Sequence, residues 1–140
     1  LLDDATGEGI CVIDLDTVMP GLALYDFGDM VRTATNSAPE DEPDVTKVHM
    51  RMPMFEALVR GYLASAGGFL NATEKELLPF SGKLLTFECA IRFLTDYLQG
   101  DVYFKTRRPG QNLDRCRSHF KLVESIEEQH EAMLEVVRRW

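Results

Sequence analysis

The chain has 140 residues, 45% of them hydrophobic, which is enough to bury one modest core and too little for two independent domains. Its 15 Lys and Arg against 23 Asp and Glu leave a net charge of -8, opposite to the phosphate-neutralising surface that a nucleic-acid partner requires. No run approaches the ~18 uninterrupted apolar residues of a membrane span, and no basic-then-apolar signal peptide opens the chain, so no membrane partner is expected.

The first residues, Leu1-Leu2-Asp3-Asp4, start without methionine in what reads as the middle of a strand. A piece of a longer protein is therefore expected, forming a single partial domain over 1–140. Cys11, Cys89 and Cys116 are odd in number, far apart and without C-x-x-C spacing, which points to reduced core thiols and a cytoplasmic location. His49, His119 and His130 form no i, i+4 pair, so a structural zinc site is not expected.

Residues 1–14 read as a β-hairpin: Leu1-Leu2 and Ile10-Cys11-Val12-Ile13 flank the turn-rich Asp4-Ala5-Thr6-Gly7-Glu8-Gly9, and the second strand ends on Asp14. A loop containing Pro20-Gly21 leads to a helix starting near Tyr25 or Asp26, with Asp26 as N-cap. Asn36 to Pro43 is polar, acidic and rich in breakers, the pattern of an exposed, mobile loop without chemistry. A helix follows from about Pro53 to Ala66, stopped by Gly67-Gly68.

Thr73-Glu74-Lys75-Glu76 reads as a capping box opening a long helix to about Leu98, whose apolar positions Leu77, Leu84, Phe87, Ile91, Phe93 and Leu98 are wide enough to bury more than one face. Gly100 closes it. After an irregular stretch to Gln111, a final amphipathic helix opens at Asn112 or Asp114 and runs to Trp140. The fold class is thus mainly α, in the α+β sense: one β-hairpin followed by about four helices.

The run Val12-Ile13-Asp14-Leu15-Asp16-Thr17 carries the clearest chemical signal. An apolar strand that delivers a carboxylate at its end places a hard-metal ligand, and magnesium needs only one or two carboxylates when phosphate oxygens complete its shell. Asp14 is the first candidate and Asp16 the second. Asp26-Phe27-Gly28 spells the protein-kinase metal motif, but that motif needs its aspartate at a strand end, and here a helix continues through it. Asp26 is instead expected to cap its own helix and brace the neighbouring loops.

Arg92, Asp96, Tyr97, Asp101 and Tyr103 surround a helix end and offer the guanidinium, carboxylates and aromatic faces that grip a sugar. A second reading stands beside it: Glu88, Arg92 and Asp96 form an i, i+4 charge ladder on a solvated face, with Tyr97 as packing. Arg107-Arg108, Arg115, Arg117 and Arg138-Arg139 read as surface charge.

The run from Val12 to Asp29 resembles the metal-loop region of the aminoglycoside-phosphotransferase-like kinases, and within them most resembles the bacterial N-acetylhexosamine 1-kinases. Residues 92–105 (Arg-Phe-Leu-Thr-Asp-Tyr-Leu-Gln-Gly-Asp-Val-Tyr-Phe-Lys) and 108–117 resemble further segments of that subgroup. The resemblance implies part of the C-terminal lobe of a kinase-like phosphotransferase. Its activity is transfer of the ATP γ-phosphate to the anomeric hydroxyl of an N-acetylhexosamine, in salvage of amino sugars such as those of mucin glycans. It implies ATP and Mg2+ as cofactors and Asp14 as metal ligand; Asp16 is open to three roles, helping the metal, facing the sugar or fixing the loop, and Arg92, Asp96 and Tyr103 stand as the candidate substrate-binding residues from their own chemistry. No catalytic base is implied in this chain, because the family's His-x-Asp-x-x-x-x-Asn loop precedes the segment matching Leu1-Leu2. The chain alone is then inactive, and with apolar surface uncovered it is expected to self-associate.

Two alternatives remain open at this level: a kinase of the same fold for another acceptor such as an aminoglycoside, choline or homoserine, and a non-catalytic helical binding module. Sulfatase chemistry, as in mucin desulfation, lacks its Cys- or Ser-x-Pro-x-Arg motif.

Overall fold

Apolar residues at helical spacing over most of the chain make helix the dominant element. The computed structural model describes residues 1–140 and contains six helices: α1 (Ala23–Ala34), α2 (Met52–Ala66), α3 (Ala72–Glu76), α4 (Leu78–Leu98), α5 (Gln111–Glu128) and α6 (His130–Arg138), with a short 3-10 turn at Val45–Lys47. The core gathers Phe27 and Val31 of α1, Phe55 and Val59 of α2, Leu78 of α4, Leu122 and Ile126 of α5 and Met133, Val136 and Val137 of α6. No helix is long and apolar enough to cross a membrane.

The expected β-hairpin does not form. Residues 1–14 hold one antiparallel bridge, Leu2 to Gly9, around a turn in which Asp3 Oδ1 accepts from the backbone of Ala5 (3.0 Å) and Thr6 (2.8 Å). With no third strand and no helix across its face, a two-stranded ladder has too little burial to extend. Ile10, Val12 and Ile13 stay exposed.

Four helix boundaries also differ from expectation. α1 begins at Ala23 after Leu22, with no side-chain cap, so Asp26 is not its N-cap; it sits exposed in the first turn, where its charge meets the positive end of the helix. The capping box lies two residues earlier than expected: Asn71 Oδ1 accepts from Glu74 N (2.9 Å) and Glu74 Oε2 from Asn71 N (2.8 Å). That helix stops after five residues because Pro79 opens a new one; its ring and missing N–H are tolerated only in a first turn. The final helix breaks at Gln129, whose Nε2 donates to Met50 O (3.0 Å) and Ser125 O (3.2 Å).

α4 runs through the centre, packed between α1 and α5. Its buried face is made of Ser81, Gly82, Thr86 and Ala90, with Phe93 and Asp96 further on. Small residues let the backbones approach: a Cβ on Gly28 of α1 would stand 2.5 Å from Ser81 O, and one on Gly82 would stand 2.6 Å from Val31 Cγ1. The larger apolar side chains of α4 (Phe80, Leu84, Phe87, Ile91 and Leu98) are left exposed on the other side, at alternating steps of four and three apart from the last interval. Expectation had Leu84, Phe87, Ile91 and Leu98 buried.

The segment after α1 is not the detached loop the sequence suggests. Arg51, preceding α2, closes the C-terminus of α1 by donating Nη2 to Ala34 O (2.9 Å) and Nε to Thr35 O (3.3 Å). Asn36 bridges Met50, and Met50 N donates to the buried Ser125 hydroxyl (3.0 Å). These contacts dock residues 36–50 on α5 and carry Glu40 and Asp41 inward.

Candidate ligand clefts along α4

The irregular segment after α4 has backbone N–H groups with no helix or strand to pair them, so they need another acceptor. Asp96, 3% exposed, supplies it: Oδ1 accepts from Val102 N (3.0 Å) and Tyr103 N (2.7 Å), and Oδ2 from Phe104 N (2.9 Å) and Asn112 Nδ2 (2.8 Å). Gly100 and Asp101 turn the chain into this cup with left-handed φ of 93° and 58°, and Asp101 Oδ1 accepts from Asn112 Nδ2 at 2.9 Å. Burial pushes the Asp96 carboxyl up, but the N–H groups of Phe104, Tyr103 and Val102 and the Asn112 amide outweigh it and hold it below the ordinary 3.8.

A folded value below the unfolded one gives stabilisation that is complete above 3.8 and is lost as pH falls through the lower folded value. Amide exchange at Val102, Tyr103 and Phe104 should therefore accelerate as pH drops from about 5 to about 2, after correction for intrinsic rates, before the α1 and α2 amides respond. Unchanged protection at these three amides at the acid end would show that Asp96 does not hold the loop.

The held loop brings Tyr103 beside Arg92, whose guanidinium lies 5.8 Å from the Tyr103 ring centre and 5.4 Å from that of Phe104. Arg92, Thr95, Asp96, Gln99, Tyr103 and Phe104 line one cleft of about 330 Å³. All three residues expected to bind substrate thus meet at one place. Their roles differ: the four acceptor positions of the Asp96 carboxylate are filled, so it positions the loop, while Arg92 and Tyr103 remain half-exposed and exposed. The charge ladder is present only between Glu88 and Arg92, at 3.6 Å.

Behind it, a second cleft of about 520 Å³ is lined by Asp29, Arg32, Glu40, Glu88, Arg92, Lys105 and Arg115, over Phe93 and Phe104. Glu40 joins its walls: Oε1 lies 3.2 Å from Arg32 Nη1 and Oε2 lies 3.2 Å from Arg115 Nε. His119, 2% exposed, sets its own tautomer here. Nδ1 must donate to Arg115 O (2.8 Å), and Nε2 accepts from Arg32 Nη1 (3.3 Å). Burial pushes this imidazole below its ordinary value, and it stays neutral. Sequence pattern missed Glu40, Asp41, Asn112 and His119, since the acidic loop reads as solvated and the other two as ordinary helix positions; only their polarity inside a helix with an apolar period marks them.

Asp14 and Asp16 belong to neither cleft. Both are exposed on the extended arm, Asp14 with a left-handed φ of 62°, and no group of three or more His, Cys, Asp or Glu able to hold a metal is present. The strand that was to present Asp14 is absent. Their donor chemistry nevertheless fits magnesium: hard carboxylate oxygens, open to solvent, two residues apart. Asp26 lines a cleft of about 450 Å³ with Thr17, Pro20 and Tyr25. Asp-Phe-Gly at 26–28 lies inside α1, where Phe27 is core and Gly28 the point of contact with α4.

Of the cysteines, Cys116 is buried, Cys89 half-buried and Cys11 exposed, so Cys11 is not the core thiol expected; burial pushes the thiols of Cys89 and Cys116 up. Arg108 pairs with Asp114 (2.6 Å), Arg138 with Glu135 (2.8 Å) and Arg139 with Glu56 (3.6 Å). No protein-family model matches the chain.

Proposed function

We propose that the chain is part of the C-terminal lobe of an ATP-dependent, magnesium-dependent kinase that phosphorylates the anomeric hydroxyl of N-acetylhexosamines, in amino-sugar and mucin-glycan salvage. The observation that carries the reading is the meeting of Arg92 and Tyr103 in one open cleft, with the loop between them tied to the buried Asp96. An exposed guanidinium beside an aromatic face is the equipment for gripping a hydroxylated ring. The resemblance of residues 12–29 and 92–105 to the N-acetylhexosamine 1-kinases supplies the reaction.

Phosphoryl transfer is mostly positioning and charge neutralisation. Under this reading Asp14, with Asp16 beside it, holds the magnesium ion that neutralises the nucleotide phosphates; the base, the phosphate-covering loop and the phosphate-binding lysine come from chain preceding Leu1. The exposed row Phe80, Leu84, Phe87, Ile91 and Leu98 supports a chain made to be covered by further structure or by another copy, and self-association of the isolated 140 residues follows.

The test is coupled ADP release by the protein carrying this chain together with its upstream segment, given N-acetylgalactosamine, N-acetylglucosamine or galactose. Turnover with the two amino sugars is expected. Turnover only with an aminoglycoside, choline or homoserine would replace the acceptor, and no turnover by folded protein with any of them would leave a binding module.

A further inference from the structure

We propose that the second cleft, between α1, the loop around Glu40, α4 and Lys105, binds a phosphate-type oxyanion, either free or as a phosphate monoester. This does not rest on the sugar-kinase reading. Four cations, Arg32, Arg92, Lys105 and Arg115, face three carboxylates, Asp29, Glu40 and Glu88, so the cleft carries an excess positive charge in a chain of net charge -8.

The donors are not used up. Arg32 spends Nε on Asp29 (2.8 Å) and Nη1 on Glu40 (3.2 Å) and His119 (3.3 Å), and its Nη2 is free. Arg115 directs Nη1 to Asn112 Oδ1 (2.8 Å) and Lys105 O (3.4 Å). Its Nε is buried without a hydrogen bond, because Glu40 Oε2 is near at 3.2 Å but off line. Sealed from solvent, that donor leaves the Arg115 charge only partly matched, and direct contacts fall to the groups that reach the open cleft. Lys105 has no ion-pair partner at all within 4.0 Å, and it stands exposed at the rim.

The floor strengthens these charges. Arg115 lies 5.3 Å from the Phe93 ring centre and Arg92 5.4 Å from that of Phe104, so water is kept off one side of each guanidinium. Planar forks with free edges, plus one mobile ammonium, match a tetrahedral oxyanion with several acceptor oxygens. Glu40 already sits between Arg32 and Arg115 as an internal anion, which shows the kind of group the pocket accommodates.

Calorimetric titration of the 140-residue chain at low ionic strength, with inorganic phosphate and separately with galactose 1-phosphate, tests this, beside the variants Lys105→Glu and Arg138→Glu at exposed positions, each checked for an unchanged circular dichroism spectrum. Phosphate should bind, Lys105→Glu should weaken it by about tenfold or more, and Arg138→Glu, whose side chain is remote from the cleft, should leave it unchanged. Equal affinity for both probes would identify free phosphate as the source, and tighter binding of the ester a phosphate monoester. The proposal is overturned by absence of phosphate binding, by equal loss in both variants, or by ester binding that Lys105→Glu leaves intact.

Discussion

Replacing Gly28 by alanine should destabilise the chain by about 3 kcal/mol and lower its melting temperature by roughly 10 °C. The added Cβ would stand 2.5 Å from Ser81 O and 2.8 Å from Ser81 C, atoms of the α4 backbone that no rotamer change can move aside. Either α1 or α4 must shift, and both are held: Phe27 and Val31 on either side of Gly28 are fully buried, and α4 is pressed from behind by α5. Gly61→Ala in α2 is the control, because nothing lies within 4 Å of a Cβ there and the helix gains about 0.5–1 kcal/mol from the more rigid residue. Thermal unfolding followed by circular dichroism measures both; two variants of equal stability would mean that α1 and α4 do not touch through glycine.

If Asp14 holds the magnesium ion as proposed, Asp14→Asn should reduce ADP release by the protein carrying this chain and its upstream segment by roughly a thousandfold, the rate equivalent of about 4 kcal/mol of lost charge stabilisation. The amide keeps the size of the side chain and removes the charge that the metal needs, so folding is expected to be unaffected: Asp14 is exposed and holds nothing. Arg92→Ala should behave differently. On the proposed reading its guanidinium grips the sugar in the first cleft, so KM for the amino sugar should rise by roughly tenfold or more with a smaller loss of kcat. Steady-state ADP release separates the two patterns, and an Asp14→Asn enzyme that turns over normally would remove Asp14 from the metal site.

Residue pattern located most of the helices and brought out Arg92, Asp96 and Tyr103, which line one cleft, because each signal is local. Met52–Ala66 and the stop at Gly67 follow from spacing and a breaker. Arg92 and Tyr103 flank a helix end, and chain continuity alone keeps them close. What pattern misread depends on neighbours far along the chain. The largest apolar residues of α4 were assigned to the core, yet Gly28 and Val31 of α1 select the small face of Ser81, Gly82 and Thr86, since close backbone approach outweighs side-chain size there. Ile10–Ile13 has the composition of a strand, but only Ile10 and Cys11 find a partner, the backbone of Leu1, and the ladder goes no further. Glu40 lies in a stretch whose acidity reads as solvated, and only Arg32 and Arg115, on helices 8 and 75 residues away in sequence, turn it inward.

The measurement that bears most directly on the kinase reading is phosphorus and proton NMR of the product that the protein carrying this chain and its upstream segment makes from ATP and N-acetylgalactosamine. A product whose phosphorus couples to the anomeric proton is the predicted result. Phosphate on any other hydroxyl, or ATP and sugar left unchanged by correctly folded protein, would contradict it.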